Sequence, residues 1–239
     1  MGGSNVGQAA IMRRFAKWHI WLGWLAGVPL VMWTLTGLVM VARPIEEVRG
    51  NHLRIGHESE ALPALDLTSA MTALKNLPAP ATELSVVMAG KDPVMIVQLS
   101  DGSIARFSAA DGRQLPQISE KQARATVAQD IAGGDQVSAV TAFPASDPPF
   151  DFRNPVSVWQ VALHDGTHIY VNRDTGRIAA VRTRWWRVFD FMWGLHIMDL
   201  QTREDTHHPV LILFAIIGFI MSVIGCVLMF RRRKTRVSA

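Results

Sequence analysis

Cysteine is almost missing from this 239-residue chain, where Cys226 stands alone. An intrachain disulfide and a cysteine metal cluster are therefore excluded. Charge is missing from two long stretches, Ile20 to Ala42 and Pro209 to Phe230. Also absent are an HExxH pair, a phosphate-cradling loop, a paired-carboxylate motif and a Ser-His-Asp order, so no motif points to hydrolysis.

What is present is hydrophobic and unevenly spread. At about 1.5 Å per residue, each uncharged stretch can cross a hydrocarbon core of roughly 30 Å. Both read as transmembrane helices. The first is longer than the roughly 7–15 residues of a signal-peptide core, and Met40-Val41-Ala42 lacks the small-x-small cleavage pattern, so it reads as a retained anchor. Arg13, Arg14 and Lys17 precede the first span, and Arg231, Arg232, Arg233, Lys234 and Arg236 follow the second. Basic flanks stay in the cytoplasm. The expectation is a two-pass protein of a bacterial inner membrane, with both termini cytoplasmic and residues 43 to about 208 periplasmic. The basic balance comes largely from these flanks and implies a lipid bilayer, not nucleic acid, as partner.

The middle segment repeats itself. VMIVQLSDGSIARFSAADGRQL (94–115) aligns without a gap on VWQVALHDGTHIYVNRDTGRIA (158–179). Each copy reads as a β-hairpin: alternating apolar residues make a half-buried strand, and Asp-Gly supplies the positive φ angles of a tight turn. A helix is expected before each copy. Ser119-Glu-Lys-Gln122 has the form of a capping box, followed by Ala123, Val127 and Ile131 at helical spacing. Leu67, Met71 and Leu74 give a weaker counterpart near Thr68. The proline-rich stretch 141–155 reads as an extended loop.

The pattern of strand, Asp-Gly, strand, Asp-x-Thr-Gly-Arg in VWQVALHDGTHIYVNRDTGRIAAV resembles the PepSY domain. HIWLGWLAGVPLVMWTLTGLVM resembles the first span of the PepSY-associated transmembrane family, and GLHIMDL with the span ending FRRRK resembles that family's Leu-His segment and last helix. The resemblance implies an α+β membrane protein. Two transmembrane helices (18–42 and 207–230) would flank an extracytoplasmic PepSY-like domain (43–181, with repeats about 64–116 and 118–181). An interfacial amphipathic helix and turn (182–206) would follow that domain, and short tails (1–17 and 231–239) would close the chain. Relatives with more spans include haem-containing reductases of ferric siderophores. Other PepSY proteins are linked to control of peptidases.

Small residues suggest where the two spans meet: Gly23, Gly27, Thr34 and Gly37 on the first, Ala215, Gly218, Ser222 and Gly225 on the second. Either they allow close helix packing, within the chain or in a dimer, or they make room for a flat cofactor. Pro29 is expected to kink the first span without breaking it.

His19 sits near Gly23 on this seam. It reads either as an interfacial residue or as an axial haem ligand. Across an antiparallel pair only Met229 and Cys226 could face it, so a His/Met pair or a histidine from another subunit would complete such a site. Trp185, Phe189, Trp193, His196 and Leu200 share one face of an amphipathic helix over 183–200, with Arg187 and Asp190 off it; this helix is expected along the membrane surface. His207 and His208 stand just before the second span. Again two readings are open: interfacial packing and a helix start, or an outer-leaflet haem b held by His196 with His208 or His207, a turn at 201–206 bringing them together. Metal without haem is the remaining variant. His52, His57, His164 and His168 read as solvated. Two functions follow as expectations: a haem-binding component of membrane electron transfer serving periplasmic iron or siderophore reduction, or a regulatory binding module working with a protease, another membrane protein or a second copy.

Overall fold

The computed structural model describes residues 3–56, 66–89 and 92–237. His57 lies outside them, as do the side chains of residues 231–236. The protein is α+β, with two long apolar helices and two antiparallel sheets. It divides into two compact units, Met1–Pro44 with Val188–Ala239, and Ile45–Arg187.

The second of these units runs α2 (Ile45–Val48), α3 (Thr68–Ala73), β1 (Ala81–Ala89), β2 (Asp92–Leu99), β3 (Ile104–Ser108), β4 (Gln114–Leu115), α4 (Glu120–Asp130), β5 (Val137–Phe143), β6 (Val158–Leu163), β7 (His168–Asn172) and β8 (Ile178–Arg182). Two four-stranded antiparallel meanders result, in the orders β1-β2-β3-β4 and β5-β6-β7-β8. Helix α4 starts on the expected capping box: the Ser119 side chain accepts from the Gln122 backbone N–H, and the Gln122 side chain accepts from that of Ser119. Its Ala123 and Val127 pack with Val161, Leu163, Ile169, Val171 and Val181. Ala70 of α3 packs with Met95, Val97, Leu99 and Phe107.

Three local features differ from the sequence reading. Strands β1 and β5 precede the hairpins, and β5 takes residues 141–143 from the expected loop. Both are edge strands with largely exposed side chains, so they carry little of the alternation that reveals a half-buried strand. The Asp-Gly turns have a positive φ at glycine only, 83° at Gly102 and 81° at Gly166. Gly102 N–H donates to Leu99 O and Leu99 N–H to Ser103 O, which closes a three-residue turn with a left-handed glycine. Asp101 instead uses its carboxylate, accepting from Ser103 N–H at 2.9 Å. Third, the amphipathic helix ends early: α5 spans Arg184–His196, which leaves Leu200 beyond it and exposed.

The other unit is built on α1 (Gly3–Met40) and α6 (Pro209–Val237). Helix α1 begins well before the first apolar run and passes Pro29 as one element. The pair is antiparallel. A Cβ on Gly225 would lie 3.0 Å from His19 Cε1, one on Gly23 4.0 Å from Met221 Sδ, and one on Gly218 3.7 Å from Leu30 Cδ2. The seam on α1 runs through Gly23, Ala26, Leu30, Trp33 and Thr36, with Ala26 and Thr36 buried. Gly27 meets nothing within 4 Å, and Thr34, Ala215 and Ser222 are exposed. Steps of four residues advance about 40° beyond a full turn each time, so a run of i+4 small residues drifts off the contact line. Alternating steps of three and four stay on it, as in a left-handed helix pair.

Candidate histidine site on the helix pair

His196 is the last residue of α5, and three contacts tie it to the final turns of α1. Trp33 Nε1 donates to the His196 carbonyl at 2.8 Å. Thr36 Oγ1 lies 2.9 Å from His196 Nδ1. The imidazole Cε1 lies 3.7 Å from where a Cβ on Gly37 would stand. The Thr36 hydroxyl has one proton, and it donates that proton within its own helix, to Met32 O at 2.8 Å. The Nδ1–H tautomer of His196, donating to Thr36 Oγ1, satisfies both contacts at once. That tautomer leaves Nε2 as a bare lone pair. An imidazole oriented through Nδ1–H with Nε2 free is the form that binds iron or another metal.

The segment after His196 is a constructed turn. Asp199 is buried, and its carboxylate accepts from the backbone N–H groups of Gln201, Thr202, Glu204 and Asp205 as well as from the Thr202 hydroxyl. The Thr202 hydroxyl, aided by these backbone donors against the effect of burial, holds the Asp199 carboxyl far below the usual carboxylate range. Arg203 pairs with buried Asp190 of α5 at 2.5 Å, and Trp193 Nε1 donates to Arg203 O at 3.0 Å. Gly194 is required here, because a Cβ would stand 2.8 Å from Arg203 Cγ and 3.0 Å from Asp199 O. Asp190, expected off the apolar face and polar, is thus a buried partner within the turn. The turn leads directly into α6, where Ile212 N–H donates to His208 O.

His208 is half-buried, and its Nδ1 is buried with no hydrogen-bond partner. His207 is exposed; its backbone N–H donates to Asp205 Oδ1 at 2.8 Å. In an antiparallel pair, the end of α1 at Thr36 and Gly37 is the end where α6 begins, so His196 and His208 belong to the same end of this unit. His19 belongs to the other, about 25 Å along α1 at 1.5 Å per residue. Its Nδ1 is likewise buried without a partner, packed against Gly225. Met229 is 66 % exposed and Cys226 is also exposed, so neither is turned to the seam where His19 lies. No cluster of three or more His, Cys, Asp or Glu able to hold a metal occurs among the described residues.

A model of the PepSY-associated TM region matches residues 16–239. The chain belongs to that family. No curated protein and no solved structure matches it. Its two helices of 31 and 22 apolar-rich residues, Ala10–Met40 and Pro209–Phe230, are long enough to cross a bilayer, and with the family they make this a membrane protein.

The sequence reading missed Thr36, Asp199 and Arg203 and gave Asp190 no role, although these residues position His196 and the turn. A hydroxyl residue in an uncharged span and an aspartate three before a threonine were the available signals.

The PepSY-associated chain carries a further polar cluster, in Ile45–Arg187. Tyr170 is fully buried; its hydroxyl donates to Asp151 Oδ1 and accepts from Gln160 Nε2 at 2.6 Å. His168 Nδ1 donates to Asp151 Oδ2 at 3.1 Å, and Arg182 Nε to the Asp151 carbonyl at 2.8 Å. Phe152 stacks on Tyr170 at 4.7 Å. His168, expected to be solvated, is therefore half-buried and bonded, because residues 151 and 152 close over the outer face of the second sheet; His164 is exposed as expected.

Proposed function

We propose that this PepSY-associated protein is a haem-b-binding component of membrane electron transfer linked to periplasmic iron or siderophore reduction. It would sit in a bacterial inner membrane with both termini cytoplasmic and the sheet-bearing portion periplasmic. The observation that carries the reading is the 2.9 Å contact between His196 Nδ1 and Thr36 Oγ1, which fixes the ring through Nδ1 so that Nε2 would be the ligating nitrogen. The orphaned, buried Nδ1 of His208 at the same end supports it. His196 and His208 would hold the iron, with His207 as the exposed alternative; His19 would serve a separate site at the other end, completed by a second subunit. A bound haem would supply one-electron transfer. The chain's own part is to fix the His196 ring through Thr36, to hold the turn through Asp199, and to keep water from the seam.

Purified, haem-replete protein should show a Soret band and reduced-minus-oxidised α and β bands. His196→Ala and His208→Ala should abolish them, and Thr36→Val should lower haem affinity about 10- to 100-fold, the usual cost of removing a partner that orients a ligand. A colourless protein from haem-supplemented cells ends this reading.

The second reading is a non-catalytic binding or regulatory module, an accessory subunit of a protease or larger membrane complex. The long exposed edge strand β1 favours it, since an edge can accept an added strand. It predicts a colourless protein that co-purifies with a defined partner.

A further inference from the structure

Arg106 is the anomaly of the first sheet. It stands in β3 opposite Ile96 of β2 and is only 6 % exposed. Buried guanidinium groups are normally paired with a carboxylate or saturated with acceptors. Here Nη1 donates to Pro116 O at 3.0 Å, while Nε is buried with no partner. Burial works against its charge and nearby Asp174 only partly offsets this. Asp174 is itself engaged by Gln117 Nε2 at 2.7 Å.

The side chain lines a cleft of about 530 Å³. One wall is the end of β1, with Val87 and Met88. The other is the outward face of α4, with Gln122, Ala125 and Gln129, joined by Ile178 and the turn before β8. Arg54 and Arg177 also line it, against Asp130, so positive charge is in excess. The corresponding position in the second sheet shows what such a residue requires. Tyr170 pairs with Gln160 as Arg106 pairs with Ile96, and Tyr170 is covered and bonded by Asp151 from its own loop. Among the described residues, no carboxylate is bonded to Arg106 in this way.

We propose that the cleft beside Arg106 binds a carboxylate-bearing organic ligand, with the carboxylate on the Arg106 guanidinium and the organic part against Val87, Met88 and Ile178. The Nε–H of Arg106 has no partner, and a guanidinium edge matches a planar carboxylate in two-point geometry. Val87, Met88, Ala125 and Ile178 give the cleft apolar surface that a small, fully hydrated dianion such as phosphate would leave unused. The carboxylate can come from a small organic acid or from the C-terminus of a peptide extended along β1. None of the helix-pair histidines takes part, so the site is independent of the haem reading.

The test is isothermal titration of the full-length protein in detergent, at low salt. Four probes are used: an acetylated apolar tripeptide with a free C-terminus, the same tripeptide as its amide, acetate, and inorganic phosphate. The free-acid peptide or acetate binds, the amide at least 10-fold more weakly than the acid. A peptide affinity at least 10-fold above acetate identifies a chain terminus, and equal affinities identify a small acid. Arg106→Met removes binding. Should that variant fail to fold, Ala125→Trp, on the exposed face of α4, fills the cleft and weakens binding at least 10-fold. Equal binding of acid and amide, preference for phosphate, no binding of either carboxylate, or an unchanged affinity in Ala125→Trp overturns the proposal.

Discussion

At the scale of single residues, carboxylates withdrawn from water fix backbone that has no secondary structure, Asp199 in the turn before α6 and half-buried Asp151 beside the second sheet. Asp151 is the clearest case, since His168 and Tyr170 of β7 and Arg182 of β8 converge on its carboxylate or its carbonyl. Burial pushes the Asp151 carboxyl up, but hydrogen bonds from His168 and Tyr170 pull it further down, so its net position is below the usual carboxylate value. The sign of the pH effect follows. A carboxylate with a lowered folded pKa contributes stability above its ordinary value, and that contribution is lost as pH falls through the lowered one. Thermal melts of the detergent-solubilised chain should therefore lose stability on the acid side, and Asp151→Asn should flatten that acid limb. Tyr170→Phe removes a donor from a half-buried carboxylate and should cost about 1–3 kcal/mol, read as a lower Tm at neutral pH. An unchanged melting temperature would show that the Asp151 loop is not held by this hydroxyl.

At the scale of elements, turns and caps are specified locally and should fail locally. Ser119→Ala deletes one half of the capping box of α4 and should cost about 1 kcal/mol. Gly112, in the turn before β4, has a φ of 73°, and a Cβ there would stand 2.5 Å from Ser69 O. Gly112→Ala should therefore cost more than the roughly 1 kcal/mol of the backbone effect alone, because the α3 backbone must also move. Chemical denaturation of the two variants ranks them, and a larger loss for Ser119→Ala would contradict the geometry. The helix pair shows the opposite behaviour. Its contact line passes through Ala26 and Thr36, and the glycine spacing that suggested Gly27 and Thr34 does not decide it.

At the scale of the whole molecule, the membrane arrangement is the proposal on which the functional reading depends. Because Cys226 is the only cysteine, a Cys226→Ser background allows single-site labelling. In that background, Ser146→Cys in the exposed loop after β5 should react with an impermeant maleimide in intact cells. Ser238→Cys near the C-terminus should react only after lysis. Reversed labelling would place the sheets in the cytoplasm and remove any role in periplasmic reduction.

Much of the fold was legible because its determinants are local. Two uncharged runs, a gapless repeat with Asp-Gly turns, and Ser119-Glu-Lys-Gln122 carry their meaning in composition and spacing over a few residues. The edge strands β1 and β5 were not legible, since their exposed side chains carry no alternation. Nor were the partners of His196 and Arg106. The first depends on Thr36, 160 positions away, and the second on a cleft formed with α4. The amino-acid order alone determined the two long apolar helices, the two hairpins with their Asp-Gly turns and the capped helix α4, and which residues could serve as ligands. Only the tertiary structure decided which of those groups are left with an unused nitrogen in a buried place, because hydrogen-bond satisfaction belongs to pairs of residues brought together by packing and not to any residue by itself.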